Sequence, residues 1–119
     1  MRNLVIKCTA GSEDLERANQ AFTVAAAAIA AGARVSLWLT GEASWFGTPG
    51  RAEALDLPLA TPLAELRDLI VASGQLTVCT QCAARRNIGP DDVLPGVRIA
   101  GASAFVEEAL QDDAQALVY

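Results

Sequence analysis

The sequence predicts an α/β fold in three layers, built on a five-stranded, mostly parallel sheet. Short β-rich runs alternate with helical segments along the whole chain, and the connections are long enough for crossovers rather than hairpins. The length of 119 residues, with 52% apolar side chains, fits a single domain over 1–119 with one sizeable core. With only three Phe, two Trp and one Tyr, that core must be packed mainly by Ala, Val, Leu and Ile.

Taken in order, "NLVIKCT" at 3–9 reads as a first strand ending at "AGSED", where Ser12 suits a helix cap and Glu13 and Asp14 suit the positive end of a helix. Ala18, Phe22, Ala25, Ala26 and Ile29 then recur at helical spacing up to Gly32, and the alanine tract "VAAAAIAA" reads as a surface for close packing. "RVSLWLT" is a second strand. Between Gly41 and Pro62 the punctuation "TPG", "DLP" and "ATP" marks a long connection with one short helix, of the kind that often carries function. "LAELRDLIVAS" at 63–73 is a second amphipathic helix closed by Gly74, "QLTVC" a third strand, and "TQCAARR" opens a third helix. After "GPDDVLPG" come a strand "VRIAG", a helix "SAFVEEAL" and a closing strand "AQALVY". The expected strand order is the flavodoxin-like 2-1-3-4-5, which sets strand one beside strand three and places a ligand crevice between their carboxyl ends.

Composition narrows the chemistry. A net charge of -5 offers no basic face for DNA or RNA. The apolar start "MRNLVIKCTAG" is broken by Lys7 and too short for a signal sequence, and no run reaches the length of a bilayer span, so neither a membrane partner nor export is expected and a cytoplasmic location is. With no histidine there is no Ser-His-Asp or Cys-His catalysis and no mixed Cys/His zinc site. Three cysteines, an odd number, do not suit a disulfide framework in a reducing compartment and point to reactive thiols or to metal binding.

Two of those thiols stand one turn apart in "VCTQCAARRNI". Cys79 closes the third strand and opens the helix that follows, where the backbone N–H groups of Thr80 and Gln81 favour a thiolate. Cys82 lies near the same face. In the expected strand order Cys8, near the end of strand one, comes close to the pair, as a relay thiol or a lining group. Arg85 and Arg86 reach the sulfur only by folding back; otherwise they hold the end of the helix. Gly11, in the turn after strand one, is a further candidate binding position. A thioredoxin-type couple, a zinc site completed by other ligands and inert core cysteines are the competing readings of C-x-x-C. Trp45 and Phe46 in "GEASWFGTPG" are expected at a subunit interface or as a lid on the thiol pocket. Glu107, Glu108, Asp112 and Asp113 read as a solvated helix face.

The chain resembles the DsrE/DsrF-like (TusD/YchN-like) sulfur-relay family over nearly its whole length, through "GSEDLERANQAFTVAAAAIAAG", "VSLWLTGEA", "CTQCAARRNI" and "GVRIAGASAFVEEAL". In TusD-like members a sulfur-carrying cysteine ends the third strand six residues before an Arg-Arg-Gly element. Cys79, Arg85 and Arg86 match that spacing, with Asn87 in place of the glycine, and Cys79 with Cys82 matches the C-x-x-C version of other members. The resemblance implies a subunit of a homo-oligomer, trimer or hexamer, whose Cys79 holds sulfur as a persulfide and passes it between donor and acceptor proteins, without cofactor or metal. Cys82 would then resolve the persulfide as a disulfide. The alternative is a non-catalytic oligomeric binding or regulatory module of the same fold.

Overall fold

The computed structural model describes residues 2–119. Its strands are β1 (Asn3–Cys8), β2 (Arg34–Leu39), β3 (Gln75–Cys79), β4 (Val97–Ala100) and β5 (Ala114–Val118). The helices are α1 (Leu15–Ala30), α2 (Leu63–Ser73), α3 (Thr80–Arg85) and α4 (Ala102–Ala109), with a 3-10 helix at Gly41–Gly47. All strand pairs are parallel and the order across the sheet is β4-β3-β2-β1-β5.

This corrects the expected 2-1-3-4-5 order: β2 lies between β1 and β3. The alternation of elements is the same in both arrangements; what differs is the direction in which the sheet grows. Here the first three crossovers all move one strand in the same direction, and right-handed crossovers moving one way put their helices on one face. The last, from β4 to β5, runs back across the whole sheet, so α4 lies on the opposite face.

The two faces differ in chemistry because side chains alternate along each strand. Ile6 and Cys8, Leu37 and Leu39, and Leu76 and Val78 point to the face under α1 and α2, where they join Phe22, Ala25, Ile70 and Phe46 in the apolar core. The buried alanines Ala18, Ala21 and Ala25 let α1 lie close against the sheet. On the other face Lys7, Trp38, Thr77 and Arg98 stand in one register row. Glu108 of α4 accepts hydrogen bonds from Ser36 Oγ at 2.6 Å and Trp38 Nε1 at 3.0 Å, and pairs with Arg98 Nη2 at 2.6 Å. The reading of Glu108 as solvated is therefore corrected: it is the polar pin that fastens α4 to the sheet.

Local sequence fixes the turn that ends α3. Asn87 takes a left-handed backbone, φ 55°, as its place after the helix requires. Its N–H bonds to Ala84 O and that of Ile88 to Ala83 O, closing the helix in a Schellman motif with Ile88 buried beneath it. The long segment after the 3-10 helix is tied to α2 by Arg67, which is 3% exposed and bidentate to Glu53. The hydrogen bond from Arg67 leads the causes that hold the Glu53 carboxyl down at about 2.

Burial raises the Glu108 pKa, but the bonds from Ser36, Arg98 and Trp38 outweigh it and hold the carboxyl below its ordinary value. A depressed folded-state pKa contributes stability above the unfolded value of about 4.3 and loses it as pH falls through the folded value. Glu108→Gln is expected to cost about 1–3 kcal/mol at neutral pH and to flatten the loss of stability below about pH 4, measured by urea unfolding across that range.

Candidate functional site

The carboxyl ends of β3 and β4 are in register, Cys79 opposite Ala100. The chain leaves β3 toward the face of α1 and leaves β4 toward the face of α4. This divergence is the switch point at which open α/β sheets hold ligands, and Cys79 stands in it. Its side chain shares a face with Thr77, since the two are two residues apart on one strand. That is the polar face, and Cys79 is partly exposed there.

Cys79 is also the N-cap of α3. That helix has six residues, so the local unpaired amides, rather than a long macrodipole, act on the sulfur. The Cys79 side chain makes no capping hydrogen bond, so they act through their partial charge alone. Desolvation pushes the thiol pKa up; the backbone N–H groups of Cys82 and Gln81, the Cys82 thiol and the charge of Lys7 outweigh it and leave the value below that of an ordinary cysteine. Thr80 and Gln81 are exposed; of the two, only Gln81 acts on the sulfur, through its backbone N–H, and the place expected for Thr80 is taken by the N–H of Cys82.

Cys82, one turn further on, accepts a hydrogen bond from Gly41 N at 3.2 Å and has Arg85 Nη1 at 4.0 Å. Arg86 reaches across to Glu42 Oε2 at 2.8 Å and back to the Cys82 carbonyl at 3.1 Å. The two arginines therefore serve Cys82 and the junction between α3 and the 3-10 helix.

Cys8 is not brought to the pair. Its strand is separated from β3 by β2, a gap of about 10 Å, and its side chain lies on the opposite face, in the apolar core. It is fully buried, and Sγ donates to Ala10 O at 3.3 Å. Burial, with the negative charge of Glu13, pushes its pKa up to about 11. The expected convergence of three thiols is thereby corrected; it rested on β1 and β3 being neighbours. All three cysteines are free thiols, and among the described residues no group of three or more Cys, Asp or Glu is arranged to hold a metal ion.

Gly11 serves packing: a Cβ there would stand 2.6 Å from the Glu42 carbonyl oxygen, so only glycine lets the loop after β1 press against the 3-10 helix. Its N–H is taken by the Glu13 carboxylate. Phe46, expected at an interface or lid, is instead a core residue, 2% exposed and edge-on to Phe22 at 5.9 Å. Trp45 is half-buried under the Arg51 guanidinium, 4.0 Å from its ring, and borders a cavity of about 160 Å³ with Ser12, Glu42 and Leu55. The sequence reading missed Lys7 and Arg98 on the polar face. The signal was present in the period-two alternation of β1, which sends Lys7 to the side away from Cys8.

The thiols are expected to differ in reactivity. Iodoacetamide should alkylate Cys79 first, with a midpoint below that of a free cysteine, and leave Cys8 unmodified until the chain unfolds. Peptide-resolved mass spectrometry over a pH series measures both; equal rates at the two positions would contradict the geometry.

Similarity to known proteins agrees with this architecture. The chain superposes on the crystal structure of the ychN protein from E. coli with a TM-score of 0.83 at 18% identity, covering 100% of both chains. It superposes on a protein of unknown function, MTH1491 from Methanobacterium thermoautotrophicum, at 0.77 with 10% identity, again over 100% of both. A conserved protein of unknown function, BT1422 from Bacteroides thetaiotaomicron, gives 0.66 at 13% identity, over 99% of this chain and 95% of that one. No curated protein matches in sequence. At these identities the superpositions establish the fold, and the model of the DsrE/DsrF-like family matches residues 2–117. That match, over nearly the whole chain, makes the chain a member of the DsrE/DsrF-like family.

Proposed function

We propose that the protein is an intracellular sulfur carrier that holds sulfur as a persulfide on Cys79. The observation that carries this reading is the position of Cys79: a partly exposed thiol at the switch point of the sheet and at the N-cap of α3, with its pKa held below the ordinary value. A thiolate in such a setting is a nucleophile. Cys79 S⁻ attacks the terminal sulfur of a donor persulfide; the new S–S bond forms as the donor's S–S bond breaks, and the donor leaves as a thiolate. An acceptor thiolate then attacks the outer sulfur and Cys79 leaves with the electron pair.

Cys82 supplies a second exit. Attack of its thiolate on Cys79 Sγ forms the Cys79–Cys82 disulfide and expels hydrosulfide, and two electrons from an external dithiol return the pair to thiols. The Gly41 N–H, 3.2 Å from Cys82 Sγ, and the Arg85 guanidinium, 4.0 Å from it, hold that sulfur in position for the attack.

Incubation with a persulfide donor is expected to add one sulfur atom per chain to the wild type and none to Cys79→Ser, by intact mass under non-reducing conditions. Cys82→Ser should load normally and hold its sulfur longer. Loading of Cys79→Ser to the wild-type level would rule this assignment out.

The reading includes self-association into a trimer or hexamer. Supporting it, Val106 and Leu110 on α4 and Leu117 and Val118 on the edge strand β5 are exposed at 49%, 76%, 39% and 65%. Light scattering behind size exclusion is expected to give a multiple of the 12.4 kDa chain mass, and Leu110→Glu with Val118→Glu to reduce it to one chain.

A further inference from the structure

The carrier reading leaves open which charge serves the sulfur. The family resemblance puts two arginines after the cysteine, but in this chain Arg86 is spent on Glu42 and the Cys82 carbonyl, and Arg85 faces Cys82. Neither makes a hydrogen bond to Cys79.

The polar face of the sheet, which Cys79 shares, holds three other charged groups. Arg98 of β4 and Glu108 of α4 pair at 2.6 Å and cancel one another. Arg98 is further fixed by Thr77 Oγ1 at 2.9 Å and by the Trp38 ring, 5.1 Å from its centroid. Lys7 of β1 remains. Among the described residues it has no carboxylate partner; its Nζ sits 4.3 Å from the centroid of the Phe105 ring on α4. Phe105 is in turn held edge-on to Trp38 at 5.5 Å, and Trp38 is 1% exposed. The ammonium thus rests on an aromatic perch that cannot easily shift, and a ring face holds a cation without neutralising it.

The register locates this charge relative to the thiol. Lys7, Trp38 and Thr77 form one row across β1, β2 and β3, which sets the Lys7 backbone about 10 Å from β3; Cys79 stands on the same face one row further along β3, so the charge acts across the face, whereas the Cys8 thiol lies on the opposite one. The other two strands facing α4 bring no charge to that end: β2 contributes Ser36 and Trp38, and β5, paired to Lys7 through Val118, contributes alanines and valine.

Resting on the carrier reading, we propose that Lys7, perched on Phe105, is a positioning residue of the sulfur site: it supplies the uncompensated positive charge that favours the anionic form of Cys79 and of its persulfide. The direction of the Cys79 pKa agrees, since Lys7 is among the groups that lower it.

The test uses the full chain with Lys7→Met, which keeps the apolar stem on Phe105, and Lys7→Arg, which keeps the charge. Alkylation of Cys79 by iodoacetamide is followed by peptide-resolved mass spectrometry across pH, at low salt and at about 0.5 M salt. Lys7→Met is expected to shift the midpoint upward and to slow alkylation below it on the order of two- to tenfold. Lys7→Arg should track the wild type, and added salt should erase most of the difference between Lys7→Met and wild type. Superimposable profiles for Lys7→Met and wild type, or equal losses in Lys7→Met and Lys7→Arg, would overturn the proposal. Because alkylation needs no sulfur donor, a shifted profile in a protein that takes up no sulfur would sustain the role of Lys7 and defeat the carrier reading alone.

Discussion

The return of the chain from β4 across the whole sheet to β5 is the constraint on which the rest of the structure depends. Three right-handed crossovers stack their helices on one side, and a fourth running the other way has to cover the opposite side with a single short helix. Two consequences follow at once. The ends of β3 and β4 diverge, which opens the position occupied by Cys79. And α4, with eight residues, cannot shield five strands, so the face it crosses is partly polar and partly open.

That asymmetry explains the different fates of chemically identical groups. Cys8 and Cys79 both terminate strands, yet one donates to a carbonyl in an apolar core and the other stands partly exposed on the polar face, where backbone N–H groups and the charge of Lys7 favour its anion. Burial in hydrocarbon disfavours a thiolate, whereas partial exposure with convergent donors favours it. The same logic separates the acidic residues of α4: Glu107 is exposed, while its neighbour Glu108 turns inward and accepts from Ser36, Trp38 and Arg98.

The C-x-x-C segment is held from a second direction by the 3-10 helix. Gly41 donates to Cys82, Glu42 pairs with Arg86, and the Glu42 backbone is pressed by Gly11 from the loop after β1. The connection between β2 and α2 is therefore a structural collar around α3. Its aromatic residues divide accordingly: Phe46 anchors the collar in the core against Phe22, and Trp45 stays at the surface with Arg51.

Local signals in the amino-acid sequence were enough for the α/β class, the alternation of elements, the helix that begins after Cys79 and the left-handed turn at Asn87, because spacing, capping and turn chemistry act over a few residues. The C-x-x-C pair and the family resemblance were legible for the same reason. Strand order was not: both orders satisfy the same hydrophobic pattern, and the choice is made by which strand edges pair across long separations. With it went the placement of Cys8 away from the pair, the inward turn of Glu108 and the meeting of Lys7 with Phe105, residues almost a hundred positions apart. Only the folded sheet, by setting rows of side chains on one face or the other, decided which charges share a face with the sulfur.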